Sequence, residues 1–113
     1  MKRFCRLKTA MKTMDKLLSM LGLSARAGKI ASGRDAVEIA LQKKVAKLIV
    51  IDASASESTK KAVYEMAERS GVTAIEIQRD SLGQAIGKPG RILAAVTDQS
   101  FADRIHQLSL MKS

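Results

Sequence analysis

The chain has 113 residues, nearly half of them apolar, which suits a single domain with a real hydrophobic core. A formal charge of +9 and a pI near 10.1 favour a polyanionic partner, nucleic acid or an anionic membrane surface. Phe4, Tyr64 and Phe101 are too few aromatics for a base-stacking platform, and the lone Cys5 excludes an internal disulfide and a cysteine-based zinc cluster.

The N-terminus is basic. Lys2, Arg3, Arg6, Lys8, Lys12 and Lys16 are opposed only by Asp15, which puts +5 of the charge there and +4 on the remainder. Residues 1–13 are expected to form a disordered basic extension and residues 14–113 a single domain. Met11 and Met14 offer starts further in. A mitochondrial presequence would share the Arg-rich, acid-poor character, but this stretch is short and has no clear amphipathic face. With no signal peptide and no thiol framework, the expected location is the cytoplasm. The longest apolar run, Leu48–Ile51, is strand-sized, so no membrane span is expected.

Met14, Leu17, Leu18, Met20 and Leu21 recur at helical spacing and predict a first helix ending near Gly28. After "KIASG", in which Gly33 ends a strand, a helix over Arg34–Lys43 would bury Val37, Ala40 and Leu41. "AKLIVID", Ala46–Asp52, runs without alternation, as in a central strand covered on both faces. "DASAS" turns the chain into a helix over Ser58–Ser70, with Ala62, Val63, Met66 and Ala67 as its stripe and Gly71 as its stop. Thr73–Ile77 reads as a strand, Asp80–Ile86 as a short helix, and "GKPG" as a tight turn. A strand over Arg91–Val96 follows. Asp98 then caps a last helix through Leu110, with Phe101, Ile105 and Leu108 facing inward. This alternation predicts the α/β class, as a three-layer α/β/α sandwich.

The helix mouth "SGRDAVEIA", Ser32–Ala40, has two readings. In one, Gly33 ends the strand and Asp35 complements the helix dipole. In the other, Gly33 admits a ligand close to the backbone, and Arg34 grips a phosphate beside the unpaired N–H groups. "GQAIGK", Gly83–Lys88, fails the phosphate-loop pattern. It has three residues between its glycines instead of four, and Pro89, which has no N–H, stands where Ser or Thr is required. Lys88 and Arg91 are still placed to face an RNA backbone. Asp52, at the rim where α/β sheets bind ligands, is either a turn-former before Ser54 or a Mg²⁺ ligand. His106 has no second histidine and no nearby cysteine, so neither a metal site nor a triad is supported. Asp80, Asp98 and Asp103 read as caps or solvated charges. Neither an enzyme nor a cofactor is expected.

The register of Ser32–Gly33, "AKLIVIDASAS" and "TKK", followed by "RDSLGQAIGKPGRILAAVTDQSFA", resembles the L-seven-Ae/L-thirty-e family of kink-turn-binding ribosomal proteins. Within that family the likeness is to the small bacterial YlxQ-type homologues, and it runs from about Met14 to Leu110. The resemblance implies a four-stranded mixed sheet in the sandwich, RNA binding and no catalysis. It implies that the N-terminus of the second helix enters the widened groove of a kinked RNA and reads sheared G·A pairs. A loop before the short fourth helix would cover an extruded base. On this chain the first element falls on Gly33, Arg34, Asp35 and Ala36, with Ile39 one turn on. The second falls on Ile77, Gln78, Arg79 and Asp80, leading to Leu82 and Gly83. The candidate RNA-binding residues are therefore Lys29, Ser32, Gly33, Arg34, Asp35, Ile77, Gln78, Arg79 and Lys88.

The chain also departs from the family pattern, Gly-x-Asn-Glu with a lysine three residues on. Asp35 stands at the asparagine, Ala36 at the glutamate and Ile39 at the lysine. An acceptor for guanine N–H groups and a phosphate-binding cation are both missing. Arg34 and Asp35 point about 100° away from a neighbouring helix position, so they are indirect substitutes. The expected function is non-catalytic binding of structured RNA, kink-turns included, in association with ribosomal RNA or the ribosome. Two rivals stand beside it. One is a protein-interaction or assembly module whose cations keep it soluble, and the other is a partner that recruits RNA in trans for a modifying enzyme.

Overall fold

The computed structural model describes residues 16–110, so the basic extension and Met14 lie outside the described residues. Helix α1 occupies residues 16–26 and leads to β1, Ile30–Ser32. Next come α2 (Arg34–Gln42), β2 (Leu48–Asp52), α3 (Glu57–Ser70) and β3 (Thr73–Ile77). The chain closes with α4 (Leu82–Ile86), β4 (Leu93–Val96) and α5 (Gln99–Leu110). No helix among the described residues is long and apolar enough to cross a membrane.

The four strands form one mixed sheet in the order β1-β4-β2-β3. β2 and β3 run parallel, with Leu48 opposite Thr73, while β4 runs antiparallel to both β1 and β2. Every residue of β2 and β4 is buried, which explains their unbroken apolar runs. The period of two then sorts these residues between two cores. Leu48, Val50, Ala94 and Val96 face Leu17 and Leu21 of α1, Leu82 of α4 and Ile105 of α5. Ile49, Ile51, Leu93 and Ala95 face Val37 and Ala40 of α2 and Val63 and Ala67 of α3. The result is the expected three-layer sandwich: α1, α4 and α5 on one side, α2 and α3 on the other.

Local signals account for most boundaries. Ser56 caps α3 by accepting from the Thr59 N–H at 3.2 Å, so the helix opens at Glu57, one residue before the expected Ser58. Gly71 ends it in the left-handed conformation, φ 70°. Asp98 accepts from the Phe101 N–H at 3.1 Å and so caps α5. β2 and β4 are each two residues shorter than expected. The Ala46 N–H is held by the Ala40 carbonyl and the Arg91 N–H by the Lys88 carbonyl, so both belong to turns.

α4 packs directly onto the turn that follows it. A Cβ at Gly83 would stand 2.9 Å from the Lys88 carbonyl oxygen and 3.2 Å from both Gly90 N and Pro89 Cα. All three are backbone atoms and cannot swing aside. Gly83→Ala is therefore expected to lose about 1–3 kcal/mol through overpacking, despite alanine's better helix propensity. Thermal unfolding checks this; a variant as stable as the parent would show that the turn yields freely.

Candidate nucleic-acid interface

The strand registers bring four connections to one end of the sheet. Ser32 lies opposite Ala94, Ile51 opposite Leu93, and Asp52 opposite Ile77. The last residues of β1, β2 and β3 therefore share an end with the first residue of β4. The mouth of α2, the turn after β2, the β3–α4 loop and the Gly87–Ile92 turn all emerge there. β1 and β3 are the two edges, so the α2 mouth and the β3–α4 loop stand about 14 Å apart, three strand spacings.

Gly33 makes the α2 mouth. Its φ of 96° and ψ of 156° suit glycine alone, and its N–H donates to the Leu93 carbonyl at 2.9 Å. No side chain caps α2 among the described residues, so the N–H groups of its first turn face outward without a side-chain acceptor. Two cations stand beside them. Arg34 is exposed and pairs with Glu38 one turn on, Nε to Oε1 at 3.4 Å. Arg91 reaches over from the turn before β4, and a Cβ on Gly33 would meet its Nη1 at 3.0 Å. Any side chain at position 33 would displace that guanidinium. Asp35 is exposed in the first turn, and Ser32 is the half-buried last residue of β1.

The β3–α4 loop is held from below by Asp52, which is 1% exposed. Its Oδ1 accepts from the Ser54 N–H (2.9 Å), the Ser54 hydroxyl (2.6 Å) and the Asp80 N–H (2.8 Å). Its Oδ2 accepts from the Leu82 N–H at 3.0 Å, satisfying the first residue of α4. Burial pushes this carboxyl up, but the hydrogen bonds from Ser54, Leu82 and Asp80 outweigh it and hold the group below the ordinary aspartate range. The turn reading of Asp52 therefore holds and the Mg²⁺ reading does not. Both oxygens face N–H and O–H donors, whose positive ends would oppose a cation. The clamp also holds Asp80 at φ 60°, a conformation uncommon outside glycine, and presents Gln78 and Arg79 to solvent.

The remaining candidates divide. Lys88 is exposed on the turn before β4, at the same end of the sheet. Ile77 is only 4% exposed and packs with Leu82 and Ile105, so its side chain belongs to the core and only its backbone shapes the loop. Lys29 is at the far end of β1, where its carbonyl accepts from the Thr97 N–H at 2.8 Å. The structure does not bring it to the α2 mouth. Among the described residues, no three His, Cys, Asp or Glu side chains converge as a metal site would require.

The family model described as "Ribosomal protein L7Ae/L30e/S12e/Gadd45 family" matches residues 15–106. The chain belongs to this ribosomal-protein family. It is 38% identical over 90 residues to the RNA-binding protein YlxQ of Bacillus subtilis, covering 79% of this chain and 90% of that protein. YlxQ of Enterococcus faecium, also named an RNA-binding protein, is 31% identical over 95 residues, covering 83% and 91%. A Bacillus halodurans protein of unknown function superposes with a TM-score of 0.78 at 32% identity, over 82% of this chain and 95% of that one. The fold is shared more distantly by the Giardia lamblia 15.5kD RNA binding protein, with a TM-score of 0.70 at 19% identity over 87% and 85%.

Within this family fold, Arg91 at Gly33 is the feature that linear reading does not show. The sequence marks Arg91 as a cation near a turn. Only the pairing of β1 with β4 places it at the mouth of α2, 58 residues away in the chain.

Proposed function

We propose that the chain is a non-catalytic RNA-binding protein whose structured RNA docks on the end of the sheet where α2 opens. The observation that carries this reading is the uncapped α2 N-terminus at Gly33, flanked by Arg34 and Arg91. Outward N–H groups, a positive dipole end and two guanidinium groups together form an anion site of the kind that binds phosphate. The names of the two YlxQ relatives and the charge of +9 support RNA as the source of that phosphate.

The second contact is the clamped β3–α4 loop, where Gln78 can hydrogen-bond a base edge and the Arg79 guanidinium can stack on one. Lys88, between the two, faces the backbone. A regular A-form groove is too deep and narrow for a helix mouth. Two contacts 14 Å or so apart on opposite sheet edges suit an RNA with a widened groove or a displaced base, a kink-turn among them. On this reading the natural partner is ribosomal or another structured RNA, met on or near the ribosome in the cytoplasm.

The test is a titration of the protein against a kinked RNA hairpin over a range of salt. Binding should weaken steeply as salt rises, because each neutralised phosphate releases counterions. Arg34→Ala should cost about 1–3 kcal/mol if the side chain reaches a base edge. If it meets a phosphate, the loss should be uniform across sequences, with the salt slope lower by about one. Stability should move by no more than about 0.5 kcal/mol, since Arg34 is exposed and, among the described residues, pairs only with Glu38. Binding that ignores salt would overturn the proposal. Copurification that survives RNase would favour a protein-assembly role instead.

A further inference from the structure

Lys29 does not join the α2 mouth, but it is not isolated. Its carbonyl holds Thr97 just past β4, and on the other side of β4 the Lys47 N–H donates to the Val96 carbonyl at 2.7 Å. The two lysines thus flank the end of β4, two strand spacings or about 10 Å apart. Beside Lys47 an open cleft of about 700 Å³ is lined by Lys44, Arg69, Thr73 and Gln99 among others. Lys43, the residue that closes α2, stands next to it. Lys29, Lys43, Lys44, Lys47 and Arg69 are all exposed, and none has a carboxylate within ion-pair distance among the described residues.

Helix ends explain part of this patch. Lys43 and Arg69 stand at the carbonyl ends of α2 and α3, where cations complement the dipole. Lys29, Lys44 and Lys47 are in no helix's last turn. Lys44 has φ 61°, a left-handed conformation that glycine or asparagine adopts more cheaply. That conformation closes α2, with the Lys44 N–H donating to the Leu41 carbonyl at 3.1 Å and the Val45 N–H to the Ala40 carbonyl at 3.0 Å.

We infer that this pole is a second phosphate-backbone surface, with which the protein holds a second RNA helix while the α2 mouth is occupied by the first. The choice of RNA as the polyanion rests on the proposed function; the surface itself rests on the five cations. The poles are separated by the length of β2, about 17 Å, and face opposite ways. A groove docked on the α2 mouth therefore leaves the lysine pole open to another helix. The carbonyl ends of α2 and α3 face this pole, and the first turn of α5 is already capped there by Asp98, so phosphate is bound by flexible side chains. Such binding is indifferent to sequence and sensitive to salt.

The experiment uses two labelled probes, a hairpin carrying tandem G·A pairs in an internal loop and a plain RNA duplex, with energy transfer between them as the readout. At low salt the wild type should gather both into one complex. Lys29→Gln/Lys44→Gly/Lys47→Gln should keep one-to-one hairpin binding within a few-fold and lose the bridged complex by about tenfold or more. Its salt slope for the plain duplex should fall by about three, one per phosphate contact removed. Glycine at the left-handed position keeps the variant folded, which a melting curve verifies. Arg34→Ala should do the reverse, weakening the hairpin and sparing the duplex. Hairpin binding with no bridged complex, or a bridged complex that survives the triple substitution, overturns the inference. Hairpin and duplex binding that both depend on these lysines and ignore Arg34→Ala would sink the proposed α2 site and leave the second surface standing.

Discussion

Asp52→Ala is expected to lower the stability of the fold by about 3 kcal/mol at neutral pH and to release the β3–α4 loop. The carboxylate is buried and takes four hydrogen bonds, two of them from residues 28 and 30 positions further along the chain. Its removal leaves the N–H groups of Asp80 and Leu82 without their acceptor, and stranded buried donors cost about 1–3 kcal/mol each unless water reaches them. The N-terminus of α4 loses the side-chain acceptor of its Leu82 N–H, and Asp80 loses the contact that holds it at positive φ. Urea unfolding measures the total, and amide exchange at Asp80 and Leu82 measures the local part. Amides as protected in the variant as in the wild type would show that the loop is held by something else.

The same residue sets an acid dependence. Its folded-state pKa lies below the ordinary aspartate value of 3.8, so the folded state binds the proton less readily than the unfolded chain. The stability it contributes is therefore fully present above that value and is lost as pH falls through the lower, folded pKa. Asp52→Asn preserves the shape but turns an NH₂ group toward one of the donors. It should be less stable than wild type at neutral pH, and the two stability curves should converge below about pH 4. Parallel curves across that range would remove Asp52 as the titrating group.

Hydrophobic period and caps locate the elements well. Thr73–Ile77 is a strand to the residue, α2 buries the three residues that the spacing picks out, and Gly71 and Asp98 mark helix ends where they are expected. These are local signals, and each is written within a few residues of where it acts. The candidate site is only half legible, because an interface is made by connections distant in sequence. Gly33, Arg34 and Asp35 can be read as a helix mouth, but Arg91 arrives there only through strand pairing. Asp52 can be read as a turn, but its hold on Asp80 and Leu82 needs the parallel register of β2 and β3. Lys29 is four residues from Gly33 in the chain, yet the three-residue strand between them carries it to the opposite pole. Ile77 aligns with a contact loop, but as the last residue of β3 its side chain alternates into the core.

The outward flank of α2 makes the recognition pair implied by the family resemblance testable on this chain. Ile39 is 49% exposed and Ala36 half-buried, while the core is served by Val37, Ala40 and Leu41. Positions 36 and 39 are one turn apart on the same side of the helix, so Ala36→Glu with Ile39→Lys puts a carboxylate and a cation side by side. The carboxylate falls in the first turn, where the dipole favours it, and the lysine replaces an apolar side chain already in water. Stability should change by about 0.5 kcal/mol or less, and melting should be checked first. Against a hairpin with tandem G·A pairs, the double variant should bind about 1–3 kcal/mol tighter, because the carboxylate accepts charge-assisted bonds from guanine N–H groups. Against the same hairpin with Watson–Crick pairs in place of the G·A pairs, only the lysine should act, raising the salt slope by about one. An equal gain on both RNAs would mean that the helix mouth meets phosphate and reads no base. A folded variant that gains on neither would place the RNA away from α2 altogether.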